Sequence, residues 1–501
     1  MSKRAVFIKR TFALAFGWFL LPGTLAAQTP VRISLQDAIG LALNQGYAVH
    51  SATSSYLVSK KTLEAELRRQ RTSVNLNLNL PTFRESLSSQ FNPATQKYEY
   101  YQIQTTELQS GLSISQPLSF TGGVVSFQQT LLERSQINGL TTSSSTDYFS
   151  NFYLQFRQPL WTPNVYRQTS ERNAIQLEQA EAEYVKDKLD ITYSVTEAFY
   201  DAHRLSQRLT IVRDQVRQNE DSYQTAKNKF AGGLIPEVDY LQSEVDLVSS
   251  NNEQATTERE YLRALNVLRL LLGIPADQPV EITADLTFRS VPVDQAKAVE
   301  QALASRTEVI SAERSVDLRL MDIESAEARN SFRMDILASY GINGNAPQFD
   351  RIFRDFGRSR AASLTVSIPL FDWGSNALDV EAAVVQHENA IATSVNTRDR
   401  IRLEIIDLVN RIRSTESRIQ VLDKNVTVAQ KSYDISMARF RAGTINRNDL
   451  AQAQQRLTTA KLNSLNALID YQIGMADLKR RTLWDFETHS PVRADMDDKR
   501  H

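Results

Sequence analysis

The chain has 501 residues, 57 basic and 58 acidic side chains, no cysteine, and few glycines (17) or prolines (14) for its length. The missing cysteines exclude disulfides, thiolate metal sites and a lipid-modified N-terminal Cys, and the interspersed, nearly balanced charges leave no basic footprint for nucleic acid. Scarce breakers favour long uninterrupted helices.

Residues 1–27 have the three parts of a secretory signal. Lys3 to Arg10 is basic, Thr11 to Leu21 is apolar, and Leu25-Ala26-Ala27 offers small residues before a cut at Gln28. Loss of Lys3, Arg4, Lys9 and Arg10 with this leader leaves 53 basic against 58 acidic side chains. Beyond Gln28 no stretch is apolar for the ~18 residues that a helix needs to cross a bilayer. If the mature chain enters a membrane, it does so as a closed β-barrel.

From Gln28 onward one pattern is written twice. Phe230-x-x-Gly233-x-Ile235-x-x-x-Asp239-x-x-Gln242 recurs as Phe440-x-x-Gly443-x-Ile445-x-x-x-Asp449-x-x-Gln452, and Pro159-Leu160 recurs as Pro369-Leu370, always 210 residues later. Residues 28–272 and 294–483 are therefore expected to be two copies of one unit. Helical segments are predicted from Leu35 to Arg71 and from Asp294 to Asn330. Strands are predicted at Val74 to Leu80, Phe152 to Gln158, Met334 to Tyr340 and Ser363 to Leu370, from their alternation.

A 67-residue helix is predicted from Asn164 to Phe230, roughly 100 Å at 1.5 Å per residue. Its seam runs Ile191, Val195, Ala198, Ala202, Leu205, Leu209, Val212, Val216 and Asn219, in steps of four and three. Ile401, Ile405, Leu408, Ile412, Thr415 and Ile419 start the matching seam, so both copies read as multi-helix coiled coil. Gly233 and Gly443 suit left-handed helix ends, with return helices to Leu272 and to about Arg481. Residues 273–293 read as a linker with one short strand, and residues 484–501 as a flexible polar tail.

No catalytic constellation stands out, and no cofactor is implied. His50, His203, His387, His489 and His501 are scattered without ligand spacing, and the Gly-Gly pairs lack the lysine of a phosphate loop.

The duplicated Phe-x-x-Gly-x-Ile turns, the Pro-Leu strand ends and the openings Asp37-Ala38-Ile39 and Gln301-Ala302-Leu303 resemble the TolC family of outer-membrane efflux proteins, over nearly all of the mature chain. The resemblance implies a membrane α+β fold, a homotrimer whose strands close one β-barrel in outer-membrane lipid above a periplasmic coiled-coil tube. It implies a passive exit duct of a tripartite efflux or type I secretion system, with a periplasmic adaptor protein and an inner-membrane transporter as partners. Phe230, Gly233, Phe440 and Gly443 would then form the periplasmic tip. Asp239 and Asp449 match acidic positions that ring the family's closed entrance. Gln452 stands where some members carry another Asp, and Ile445 where the family has a basic residue, so the charge-locked gate is incomplete. Each Asp is equally suited to a helix first turn for its dipole alone. Trp161, Phe371 and Trp373 read either as core or as an interfacial girdle. A secreted coiled-coil stalk or adhesin would explain the heptads and the leader, but not the paired strands.

Between its strands the first copy carries 50 residues more than the second, an insert placed at about 85–147. Leu112 to Leu118 and Val125 to Leu131 alternate around Gly122-Gly123, with an exposed Ser/Thr loop at Thr141 to Thr146. Two readings stay open: six barrel strands per protomer instead of the family's four, or an external hairpin with Val74–Leu80 paired against Phe152–Leu160.

Overall fold

A computed structural model describes residues 31–139, 143–275, 277–284 and 288–492. The signal segment 1–27, Thr141 and the last nine residues lie outside the described part. Each half opens with a short and a medium helix, α1 (Leu35–Gln45) and α2 (Tyr47–Arg69) in one, α5 (Gln295–Ser305) and α6 (Thr307–Arg329) in the other. The expected helical stretches, Leu35 to Arg71 and Asp294 to Asn330, are not unbroken helices. They break instead at one extended residue each, Gly46 (ψ 144°) and Arg306 (ψ 131°), which lets the short helix fold against its neighbours. Ser34 and Asp37 close a capping box at α1, and Asp294 caps α5.

The long helices α3 (Val165–Ala231) and α7 (Ser375–Arg441) have 67 residues each, and the return helices α4 (Glu237–Leu272) and α8 (Arg447–Thr482) have 36 each. All four boundaries agree at an offset of 210. Ala38 and Ala42 of α1 share a core with Val195, Phe199 and Leu268, and Ala298 and Ala302 of α5 share one with Ile405, Leu408 and Val409. Small residues on the short helix let two backbones approach closely beside the large side chains of the long one. Two three-residue strands, β1 (Val31–Ile33) and β6 (Val280–Ile282), pair in parallel and tie the start of the chain to the linker. Arg306 and Arg481 both pair with Glu404, and Arg480 pairs with Asp190 at 2.6 Å, joining α6, α7, α8 and α3 at this waist.

The strands form one antiparallel sheet in the order β2 (Ser73–Asn92), β3 (Lys97–Leu118), β4 (Gly123–Asn138), β5 (Ser143–Leu160), β7 (Arg333–Ala346) and β8 (Gly357–Ser367). Val74–Leu78 pairs with Ser110–Ile114, not with Phe152–Leu160, so the insert contributes two strands inside the sheet. Its inner turn has Gly122 at φ +80°, and Asn164, the cap of α3, donates to Ser119 O at 2.6 Å. The inserted turn is thereby fastened to the helix it precedes. A hairpin also extends beyond the sheet, but it is formed by other residues. Beyond the Ile103–Asn138 pair, Ser88–Asn92 and Lys97–Tyr101 pair only with each other. Ser143 to Thr146 is strand, not loop.

Register sorts the sheet into two faces. Val74, Leu76 and Leu78 lie level with Leu112, Ile114, Phe127, Leu131, Phe152 and Leu154 on one. Asn75, Asn77, Gln109, Ser113, Gln128 and Gln155 line the other, where the charges Arg134–Glu107 (2.7 Å) and Arg157–Asp335 (3.3 Å) are paired. β2 and β8 are unpaired edges. A 3₁₀ helix (Phe349–Phe353), not anticipated, joins β7 to β8. The expected flexible tail is instead ordered to residue 492. β9 (Trp484–Asp485) pairs with β10 (Ser490–Pro491), and Phe486 is buried against the second-half core. Among the described residues no helix is long and apolar enough to cross a membrane.

Candidate functional site at the helical tip

The two helix-to-helix turns meet at the end of the molecule opposite the sheet. Gly233 (φ +69°) and Gly443 (φ +78°) take the left-handed conformation expected of them. Leu234 N donates to Lys229 O and Thr444 N to Arg439 O, the same closure in each copy. A Cβ at Gly233 would meet nothing, so the glycine is required by its backbone angle and not by crowding. Pro236 caps α4 from just outside it, and Asn446 caps α8 through Asp449 N at 2.9 Å.

The matching phenylalanines have different surroundings. Phe440 is buried with Tyr433, Met437, Leu450 and Leu457, whereas Phe230 is 38% exposed and stacks on Tyr240 at 5.5 Å. Burial, reinforced by Asp221, pushes the Tyr433 phenol up to about 12. Lys229 of the first half closes over the buried ring. Its Nζ donates to Phe440 O at 2.6 Å and sits 4.8 Å over the Phe440 ring, placing a cation on the last turn of α7.

A cleft of about 350 Å³ between the turns is lined by Lys229, Asp239, Arg441 and Arg447, among others. Arg447 is 7% exposed and pairs with Asp246 of α4. Burial draws its guanidinium below the ordinary value, and Asp239 opposes that shift. One layer further from the tip, Gln454 donates to Asn219 Oδ1 at 3.0 Å and Asn219 donates to Asp246 O at 3.2 Å. Three cross-links, Lys229–Phe440, Arg447–Asp246 and Gln454–Asn219, thus join the second half to the first.

Of the expected tip residues, Asp239 lies in this cleft, while Asp449 and Gln452 are exposed on α8 outside its lining. Sequence reasoning missed Lys229, Arg447, Asp246 and Gln454. A signal was available, since Arg447 and Asp246 stand where the other copy has Glu237 and Arg456, reversed in charge. At the other end of the helices, Trp161 (67% exposed) packs on Phe332, and Phe371 packs edge-on with Trp373 at 4.7 Å. All three sit where a strand passes into a long helix. Among the described residues no group of three or more His, Asp or Glu is placed to hold a metal ion.

Comparison with known proteins agrees with this architecture. Outer membrane protein OprJ of Pseudomonas aeruginosa is 22% identical over 297 residues, covering 58% of this chain and 61% of OprJ. Nodulation protein T of Rhizobium leguminosarum bv. trifolii is 22% identical over 323 residues, covering 61% of this chain and 66% of the relative. The chain thus matches less than two thirds of the length of either. Among solved structures, the CmeC outer membrane channel of Campylobacter jejuni has a TM-score of 0.67 at 14% identity, over 92% of this chain and 87% of that one. VceC of Vibrio cholerae has 0.65 at 18%, over 92% and 97%. The model of the outer membrane efflux protein family matches residues 124–274 and 298–482, well over half of the sequence. The chain belongs to the outer membrane efflux protein family.

Proposed function

We propose that the chain is one protomer of a homotrimeric exit duct, and that it carries substrates passively across the periplasm and the outer membrane with no catalytic step of its own. The observation that carries this is the open sheet. Six antiparallel strands with an apolar and a polar face end in two unpaired edges, β2 and β8. Such edges cannot lie in hydrocarbon unsatisfied, so β8 must pair with the β2 of a neighbouring copy until the ring closes. Because β2 and β8 run in opposite directions in an even-stranded sheet, that closure stays antiparallel.

Three protomers would supply eighteen strands. The helices point the same way: Val238, Leu241, Val245 and Val248 of α4 are spaced three and four apart, and all are exposed. A second heptad seam on the outside of a helix needs another chain. The tip turns would meet a periplasmic adaptor and an inner-membrane pump, with Asp239, Asp449 and Gln452 facing the entrance and the three cross-links holding it closed. Trp161, Phe371 and Trp373 would mark the inner membrane interface.

Purification in mild detergent followed by light scattering tests the proposal, together with conductance in planar bilayers. A particle with three times the protomer mass that conducts ions is expected. A water-soluble elongated monomer would overturn the duct and favour a secreted stalk.

A further inference from the structure

The segment joining β7 to β8 does not arch over the mouth of the sheet; it folds back onto its apolar face. Ser150 and Phe152 alternate with Asn151, and so share a face with Leu154 and Phe156. Ser150 is fully buried, and its Oγ donates to Ile352 O at 3.0 Å. Gly344 lies beside it, and a Cβ there would come within 2.2 Å of the same Ile352 oxygen, so only glycine admits the loop. Phe349 packs edge-on against Tyr148, and Phe356 against Phe152. Four contacts therefore hold the loop, its 3₁₀ helix included, against the outside of the wall.

Its height is set by the strands. Met334, Ile336, Ala338, Tyr340 and Ile342 are the outward positions of β7 below Gly344, spanning roughly 27 Å along the strand. That is close to the ~25 Å apolar band of a membrane barrel. The loop thus begins where the band ends, on the side away from the helices. There it presents Phe349, Phe353 and Phe356, which stay 53%, 42% and 38% exposed despite their ring contacts. Beside them stand Arg351 and Arg354 against Asp350 and Asp355, while Arg358 and Arg360, paired with Ile342 and Tyr340, stand at the outermost rungs of the band, from where their long side chains reach the headgroup level. Arg354 is taken by Asp350 at 3.0 Å. Arg358 and Arg360 have no ion pair among the described residues, and Arg360 lies over the outward ring of Tyr340 at 5.7 Å. Their outward register keeps both side chains off the β8 edge that a neighbouring copy would occupy.

We propose that this loop is an interfacial anchor that seats its phenylalanines in the outer leaflet and binds phosphate-bearing lipid headgroups through Arg358 and Arg360. The proposal rests on the duct reading. Continuity with the apolar band selects lipid as the occupant, and the unpaired guanidiniums select an anionic headgroup. A planar guanidinium matches phosphate oxygens two at a time, which a lysine cannot do.

The absence of cysteine makes a site-labelled test clean. Phe353→Cys and, as a control within the apolar band at the level of Ile336, Leu364→Cys are spin-labelled in the full trimer in vesicles. Relaxation by oxygen is then compared with relaxation by a water-soluble nickel chelate. Oxygen should dominate at both positions. Nickel dominance at 353 alone would overturn the anchor while leaving the duct standing, whereas nickel dominance at 364 would overturn the duct. Shielding from both reagents at 353 would mean a protein contact and also overturn the anchor. Separately, the detergent-solubilised trimer is titrated with a bis-phosphorylated glycolipid. Arg358→Gln with Arg360→Gln should raise the half-saturating concentration by about thirtyfold, from the loss of two charges at the headgroup. An unchanged titration, or equal competition by inorganic phosphate, would overturn the lipid-phosphate site.

Discussion

At the scale of single residues, the tip is governed by charges that the duplicated motif does not contain. Arg447 is nearly inaccessible, and its pair with Asp246 holds α8 to α4. Arg447→Gln leaves Asp246 and Asp239 without their cation. A fully buried pair broken this way costs ~3–5 kcal/mol; because Asp246 stays about one third exposed, about 1–3 kcal/mol is expected at the tip. Single-channel conductance should rise at least roughly twofold while the trimer persists; unchanged conductance would remove Arg447 from the closure. His203 makes a separate contribution. It is 5% exposed on α3, and burial holds its imidazole below the ordinary 6.5, since the charged form is the one penalised. The unfolded chain therefore takes up this proton first. The stabilisation is complete above 6.5 and is lost as pH falls below that value, until the folded form also protonates. Thermal midpoints measured from about pH 7.5 to about pH 5.5 should fall, and His203→Gln should flatten that slope. An equal slope in the variant would show that other groups carry it.

At the scale of elements, α4 has two jobs on two faces. Leu265, Leu268 and Leu272 bury toward the protomer core, while Val245 and Val248 lie 55% exposed on a heptad spacing. A helix apolar on opposite sides is a buried helix in its working state. Val245→Glu with Val248→Glu should dissociate the trimer or lower its melting by several degrees, and leave the helical circular dichroism of the protomer unchanged. A trimer of wild-type stability would mean that this face meets solvent. The short helices were less legible than the long ones. Gly46 announces a break, but Arg306 at the matching place is an ordinary helix former, and only packing of α5 against α7 selects its extended backbone.

At the scale of the whole molecule, strand count would decide the width of the proposed trimeric exit. Barrel diameter grows nearly in proportion to strand number, so eighteen strands make a barrel about half again as wide as twelve. With ordinary strand spacing and tilt, the backbone radius should be roughly 18 Å. A view of the trimer down its axis should count eighteen strands. A ring of twelve, with β3 and β4 standing outside it, would contradict this. The outer ends of β2 (Ser88–Asn92) and β3 (Lys97–Tyr101) should rise clear of the ring in either case, because no β4 residue pairs beyond Ile103.

The sequence by itself determined the long helices, their glycine turns and the outward alternation of the strands. These are local matters of periodicity, capping and backbone angle, written in every copy of the pattern. It also carried the two strands of the insert, since Leu112 to Leu118 and Val125 to Leu131 alternate around a Gly-Gly turn. Which strand they pair with was not local, and the sheet resolved it by setting β3 between β2 and β4. The unequal fates of Phe230 and Phe440 were likewise beyond periodicity. Both occupy the same motif position, and one is buried among Tyr433, Met437, Leu450 and Leu457, with Lys229 of the other half at its carbonyl. The backfolded β7–β8 loop is of the same kind. Gly344 and Ser150 are unremarkable in sequence and nearly 200 residues apart, and only the folded sheet brings both to the oxygen of Ile352.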